Sequence, residues 1–286
     1  MAKKSESFEF VRLVESERRV GPTLASVSRH WNPAEERFLF ISPHDDDVAI
    51  GGALMIQAAL ADNVPVDVAV VTDGAQGYCS LEEKDTISDI RRRETFAAYK
   101  LLGVPKENIH WVGYPDCQLS RYVGRRPATS SDPVQSHGYT GLQHTFVELL
   151  RRLHPNQVFL PTVADLHPDH RMVHSEMLIS CFHASGTIWP ELGPPLKAVP
   201  YIHELAVYCN FPSTPKLRVE APDAAMRRKL KAIAAFKSQK QIDKLVEILE
   251  RGGPWEYLRP VDFALYNPSV YRDQFDEPPR MRTIFR

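Results

Sequence analysis

No stretch of this chain is apolar for long enough to cross a bilayer, and the opening residues, MAKKSESFEFVRLVESERRV, hold no apolar core of a secretion signal. No two cysteines have CxxC spacing. Cys79, Cys117, Cys181 and Cys209 are scattered, a pattern that suits reduced thiols better than a disulfide framework or a structural zinc knuckle. Neither sign of charge is in surplus: the formal net charge of −1 argues against any general attraction to nucleic acid or anionic membrane. Internal repeats and low-complexity tracts are also missing. These absences lead to an expectation of a cytoplasmic protein with no nucleic-acid partner. What remains is globular material, 286 residues with 43% hydrophobic and 25% charged content, enough for one large α/β domain or two small ones.

Against that plain background residues 37–52, RFLFISPHDDDVAIGG, stand out. The apolar run 38–41 has the length and residue types of a fully buried strand. It stops at Ser42-Pro43, and His44, Asp45, Asp46 and Asp47 follow at once, before a small-residue helix start at 48–52. One imidazole and three carboxylates thus crowd the turn at the carboxyl end of a strand, where α/β sheets bind ligands. Such a crowd repels itself unless water or a cation compensates it, and a metal is the simplest account.

The rest of the chain keeps a strand–helix rhythm. Residues 53–61 continue as helix, 66–71 read as a second strand ending in TDGAQG, and 86–102 as a helix stopped by Gly103. A weaker third strand at 109–112 ends in GYPD. Residues 120–138 are polar and without periodicity, the composition of a lid or binding loop. Helix resumes at 142–153, a fourth strand at 157–160 delivers PTVADLHPDH, a fifth strand is expected at 204–208, and 221–250 is helical. The rhythm predicts an α/β fold, a Rossmann-like three-layer sandwich with a mostly parallel central sheet and its active site at the carboxyl ends of the strands. Residues 1–36 read as an N-terminal arm, 37–210 as the core, and 211–286 as a helical and aromatic extension completing the same domain.

Chemistry-bearing residues therefore gather at three strand ends: HDDD, YPD and DLHPDH. Histidine and carboxylate without cysteine suit Zn²⁺ or another borderline divalent metal in an open site, where a bound water has its pKa lowered towards ~7. Plainer accounts exist for each residue. Asp45 reads as a helix cap, and HPDH as a helix start with Pro168 in the first turn and Asp169 near the dipole's positive end. Arg92 and Arg93 are most simply a solvated helix face, and His174 a surface or core histidine. Tyr78, Tyr139 and Trp255 fit a sugar pocket, but aromatics are more often core.

Taken in order, HDDD, TDGAQG, RRRE, GYPD and HPDH, with the later segment AIAAFKSQ at 232–239, resemble the PIG-L/LmbE-like metal-dependent N-deacetylases. The resemblance implies that His44, Asp47 and His170 are metal ligands and that Asp46 is the general base. It implies that His167 stabilises the oxyanion or protonates the leaving amine, that Asp169 orients a ligand, and that Asp116 and Arg91 contact the substrate. Asp116 and Arg91 read equally well as turn and helix residues. The chain departs from the family twice: Asp45 stands where proline is common, and Val48 where an acidic residue is common. The expected activity is removal of an N-acyl, most plausibly N-acetyl, group from an amino sugar or glycoconjugate, with Zn²⁺ or another divalent metal such as Fe²⁺. The alternatives are a different metal-dependent hydrolase such as a phosphoesterase, and a non-catalytic sugar-binding module. A homo-oligomer is compatible with all three.

Overall fold

The computed structural model describes residues 7–14, 17–28, 30–263 and 266–276. The chain begins with strands β1 (Glu9–Val14) and β2 (Glu17–Gly21) and a short helix α1 (Leu24–Val27). The central unit follows as β3 (Phe38–Ser42), α2 (Asp47–Gly51), α3 (Ala53–Ala61), β4 (Val66–Thr72), α4 (Ile87–Leu102) and β5 (Ile109–Tyr114). A small hairpin of β6 (Arg126–Pro127) and β7 (Tyr139–Thr140) precedes α5 (Leu142–Leu153), β8 (Gln157–Pro161), α6 (Pro168–Ser185) and β9 (Tyr201–Leu205). Then come β10 (Leu217–Glu220), α7 (Asp223–Ile233), α8 (Ile242–Gly252), β11 (Trp255–Val261) and α9 (Pro268–Asp276). Among the described residues no helix is long and apolar enough to cross a membrane.

Nine strands form one sheet in the order β2-β1-β10-β11-β9-β8-β3-β4-β5. Strands β9, β8, β3, β4 and β5 pair in parallel, and the rest extend the sheet antiparallel. Alternation along β3 shows why the apolar run is unbroken. Phe38 and Phe40 join one core cluster with residues of α2, α3, α4 and α7. Leu39 and Ile41 join the opposite one, with residues of α5 and α6. Both faces of the strand are covered, so neither parity can be polar. The three-layer α/β sandwich follows from that.

The antiparallel half draws on the chain's two ends. Residues 9–14 and 17–21, in a region expected as an arm over the core, are two strands of the sheet. Residues 217–220 and 255–261, in a region expected to be helical and aromatic, supply β10 and β11. The fifth strand starts earlier than its apolar content suggests, at Tyr201, because the pairing with β8 begins at Gln157↔Tyr201. The terminal strands also do structural service for the core. Gly52, at the start of α3, has no side chain to cap the helix. Glu256 of β11 accepts the N–H groups of Leu54 and Met55, both at 2.9 Å, and is itself paired with the buried Lys229 at 2.7 Å.

His203 of β9 makes an acid-sensitive point in this sheet. It is buried, stacked on Phe159 at 5.1 Å, with Nε2 3.1 Å from Gln157 Oε1. Burial, with help from the charge of Arg12, lowers its pKa from 6.5 to about 3. Between those values the unfolded chain takes up a proton that the folded chain refuses, so stability is full above about pH 6.5 and falls as the pH drops towards 3. At pH 4.5 the loss from this group is on the order of 2–3 kcal/mol. Urea unfolding at pH 7 and 4.5 should therefore show a smaller acid loss in His203→Gln than in the unsubstituted protein. Equal losses would contradict this assignment.

Candidate functional site

Because β8 pairs directly with β3, the turns leaving these two strands are neighbours, and HDDD meets HPDH. The first turn is sewn down by backbone. Ser42 Oγ donates to the carbonyl of His44 and accepts the N–H of Val48. Thr72, at the end of β4, donates its N–H and Oγ1–H to the Pro43 carbonyl at 3.0 and 2.9 Å. All four side chains from His44 to Asp47 are buried as a result.

At the centre lie His44 Nδ1, Asp47 Oδ2 and His170 Nε2. The carboxylate oxygen is 3.2 Å from the first imidazole and 3.0 Å from the second, and the two nitrogens are 3.2 Å apart. Tetrahedral ligands at ~2.0–2.1 Å from Zn²⁺ are separated by roughly 3.3 Å, so this triangle fits one face of such a site. Asp47 Oδ1 is buried without a hydrogen-bond partner, which also suits a cation close to this carboxylate. Two wider triplets, His44/His167/His170 and His44/Asp116/Asp169, lie within 4.8 Å. The tighter triangle is preferred because it leaves each imidazole's other nitrogen beside a carboxylate, where a ligating histidine places its donor, although these contacts are close without being aligned as hydrogen bonds. His44 Nε2 is 3.2 Å from Asp116 Oδ1 and 3.5 Å from Asp169 Oδ2, and His170 Nδ1 is 3.2 Å from Asp165 Oδ2.

Proton affinities in the metal-free protein report the same convergence. Burial opposes the charge on Asp47, yet the flanking His170 and His44 hold its carboxyl well below the usual range. Burial likewise works to lower both imidazoles, but the carboxylates around them outweigh it together, Asp47 with Asp116 and Asp169 at His44 and Asp47 with Asp165 at His170, and both are raised. Asp46 is raised by burial and by Asp47, against the pull of Arg91. His167 is lowered by burial and by the charges of His44 and His170.

One face of α4 is devoted to the HDDD turn. Arg91 pairs with Asp45 and stands 3.4 Å from Asp46 Oδ1, Thr95 Oγ1 donates to Asp45 Oδ2 at 3.3 Å, and Tyr99 OH donates to the Asp45 carbonyl at 3.3 Å. Asp45 is therefore held by a partner helix and is not a helix cap; the N-cap residue of α2, Asp46, makes no side-chain cap bond, and Ser42 takes a first-turn amide instead. The glycines of TDGAQG make room for the guanidinium: a Cβ on Gly77 would lie 2.1 Å from Arg91 Nη1. The AIAAFKSQ segment closes the other side. Ser238 donates to Glu94 from its N–H and hydroxyl, at 2.9 and 2.7 Å, and the Gln239 amide abuts the Arg91 guanidinium, whose donors require its oxygen to be turned towards them.

HPDH is a helix start as well as a site. His167 is the N-cap of α6, Pro168 opens the first turn, and His167 Nδ1 accepts the N–H of Asp169 at 3.2 Å. Asp169 in turn accepts the N–H of Cys117 at 2.8 Å. One turn later His174 is a core histidine, 2.8 Å from Glu204, which Arg259 also grips through Nε and Nη2 at 2.7 and 2.5 Å. Sequence reasoning missed Tyr208, Thr95 and Tyr99, and gave no role to Asp165 and Gln239, which lie inside the DLHPDH and AIAAFKSQ segments it singled out. The spacing of Arg91, Thr95 and Tyr99, one helical turn apart each, was the available signal for Thr95 and Tyr99.

A cavity of about 170 Å³ opens on this centre, and His44, Asp46, Arg91, Asp116, Cys117, His167 and Tyr208 are among its lining residues. Asp47 and His170 lie beneath it, fully buried. Tyr78, Tyr139 and Trp255 do not line it, nor do residues 120–138. That loop is docked elsewhere, not poised as a lid. Gly124 N–H donates to Glu176 of α6 at 2.6 Å, and Arg125 is clasped between the rings of Tyr139 and Trp189.

Residues 39–180 match the model of the PIG-L family, described as GlcNAc-PI de-N-acetylase. No sequence among the curated proteins matches. Solved structures that share the fold include the following three. N,N'-diacetylchitobiose deacetylase from Pyrococcus horikoshii is 23% identical with a TM-score of 0.63, over 79% of this chain and 84% of that one. GalB, the 4-carboxy-2-hydroxymuconate hydratase of Pseudomonas putida, is 16% identical with a TM-score of 0.58, over 81% and 98%. The zinc inhibited form of teicoplanin deacetylase Orf2 is 16% identical with a TM-score of 0.52, over 80% and 100%. A hydratase among them means that the fold by itself does not decide the reaction.

Proposed function

The chain belongs to the PIG-L family through residues 39–180, and from that premise and the site geometry we propose that it is a metal-dependent hydrolase of N-acyl amino sugars or their conjugates. The observation that carries this reading is the His44–Asp47–His170 triangle, with Asp46 and His167 both on the wall of the cavity above it. A divalent cation held by those three residues would lower the pKa of a water and polarise the acyl oxygen. Asp46, a buried carboxylate with raised proton affinity, would take a proton from the attacking water and pass it to the departing nitrogen as the C–N bond breaks.

His167 has its Nδ1 lone pair engaged by the Asp169 N–H. Its neutral ring therefore carries the proton on Nε2, as a donor for the developing oxyanion. The lowered pKa of His167 favours this neutral donor over an imidazolium acid. Asp116 and Arg91, on the cavity wall, would meet sugar hydroxyls, and Asp169 would orient His44.

A volume of about 170 Å³ is below the range that encloses a whole drug-sized ligand. The cavity would accept the acylamino end of a sugar and leave the aglycone on the surface. Two imidazoles and a carboxylate suit Zn²⁺ and equally Fe²⁺, and zinc is proposed as the working metal. The test is release of free amine from a panel of N-acetylglucosaminides by protein loaded with one Zn²⁺ or one Fe²⁺ per chain. Amine and acetate in equal amounts, abolished by chelation, are expected. No amine from any N-acyl substrate, or phosphate release from phosphoesters by protein holding two metals, would overturn the proposal.

A further inference from the structure

Asp165 has no role in the chemistry above, yet its carboxylate sits at the junction of three site elements. It lies between β8 and α6 and is fully buried. Its Oδ1 accepts the N–H of His167 at 3.0 Å; its Oδ2 accepts the N–H of Tyr208 at 3.3 Å and lies 3.2 Å from His170 Nδ1. The Tyr208 ring stacks on the His170 ring at 5.3 Å, so the same carboxylate lies against the imidazole and holds the backbone of the aromatic plate beside it.

We propose that Asp165 is a positioning residue that sets the tautomer of His170, and the inference rests on reading His170 as a metal ligand. An ionised carboxylate only accepts hydrogen bonds. With Oδ2 beside it, Nδ1 of a neutral His170 keeps the proton and Nε2 keeps its lone pair, directed at Asp47 Oδ2 and His44 Nδ1. Through Oδ1 the same group holds the backbone of His167, so the oxyanion donor and the ligand share one anchor.

This predicts an unusual order among variants. In Asp165→Asn the oxygen must stay on the His167 N–H, which turns the amide NH₂ towards Tyr208 N–H and His170 Nδ1. That donor favours the wrong tautomer, with the proton on Nε2 where the cation binds. Asp165→Ala removes the acceptor without adding a donor and leaves the tautomer undirected. Zinc affinity measured by chelator competition should rank unsubstituted protein tightest, Ala intermediate and Asn weakest, with Asn down by about 10–100-fold. A low-field proton signal from His170 Nδ1 should be present in the zinc-loaded protein and absent in the Asn variant. A merely structural role predicts the reverse order, since Ala is the larger truncation. Asn binding zinc as well as or better than Ala, with the low-field signal retained, would overturn the inference while leaving His170 a ligand. If His170→Ala itself leaves zinc affinity unchanged, the ligand reading fails and this inference falls with it. Should Asn not fold, a zinc affinity in Ala equal to that of the unsubstituted protein is the overturning result.

Discussion

Asp46→Asn is expected to bind zinc with unchanged affinity and to lose turnover by about 10²–10⁴-fold, the span that general acid–base catalysis contributes. The substitution keeps the shape of the side chain. It removes no helix cap, because α2 has no side-chain cap bond from Asp46. Arg91 keeps its ion pair with Asp45, so its guanidinium is not left unpaired in the buried site. What disappears is the ability to take a proton. The loss should therefore fall on kcat, with KM for an N-acetylglucosaminide little changed. Steady-state kinetics beside metal analysis separate the two quantities. A variant with full turnover would remove Asp46 as the base while leaving the metal reading intact.

Asp47→Ala is expected to abolish both zinc binding and turnover. Its Oδ2 accepts the N–H of His44 at 2.8 Å and completes the triangle with His44 and His170. Without it the imidazoles face each other with no anion to balance a cation. The metal-free protein should also suffer, because breaking a buried ion pair by deleting one partner costs about 3–5 kcal/mol. Zinc should raise the melting temperature of the unsubstituted protein, since a ligand bound only by the folded state stabilises it. It should leave that of Asp47→Ala unmoved. Retention of one zinc per chain by Asp47→Ala would displace Asp47 from the ligand set and favour a centre built on His44, His167 and His170, which also lie within reach of one another.

The fold and the site were legible to different depths. The central strands announced themselves because burial on both faces forces every residue to be apolar, as in Phe38, Leu39, Phe40 and Ile41. The outer strands did not. Glu17, Arg18 and Arg19 carry charge because β2 is an edge with solvent beside it, and four residues of β10 are too few to show a period. Similarly, His44 and the three aspartates after it were readable as a cluster because they follow one another in the chain. Their partners could be named only through the family resemblance, and not paired one to one, because each lies far away in sequence: Arg91 beside Asp45, Asp116 beside His44, His170 beside Asp47.

The division has a physical cause. Periodicity and chain order are local properties, and they set the strand–helix rhythm, the strand ends on which chemistry would sit, and the residue types available there. Which strand lies beside which is a property of the whole packing. The pairing of β3 with β8 brings His170 to Asp47, and the docking of α4 turns Asp45 from a local cap into the counter-charge of Arg91. Burial then decides what each charge means. An aspartate at the surface is an ordinary solvated acid; buried at 3.0 Å from an imidazole, Asp47 is one corner of the triangle proposed to hold a metal.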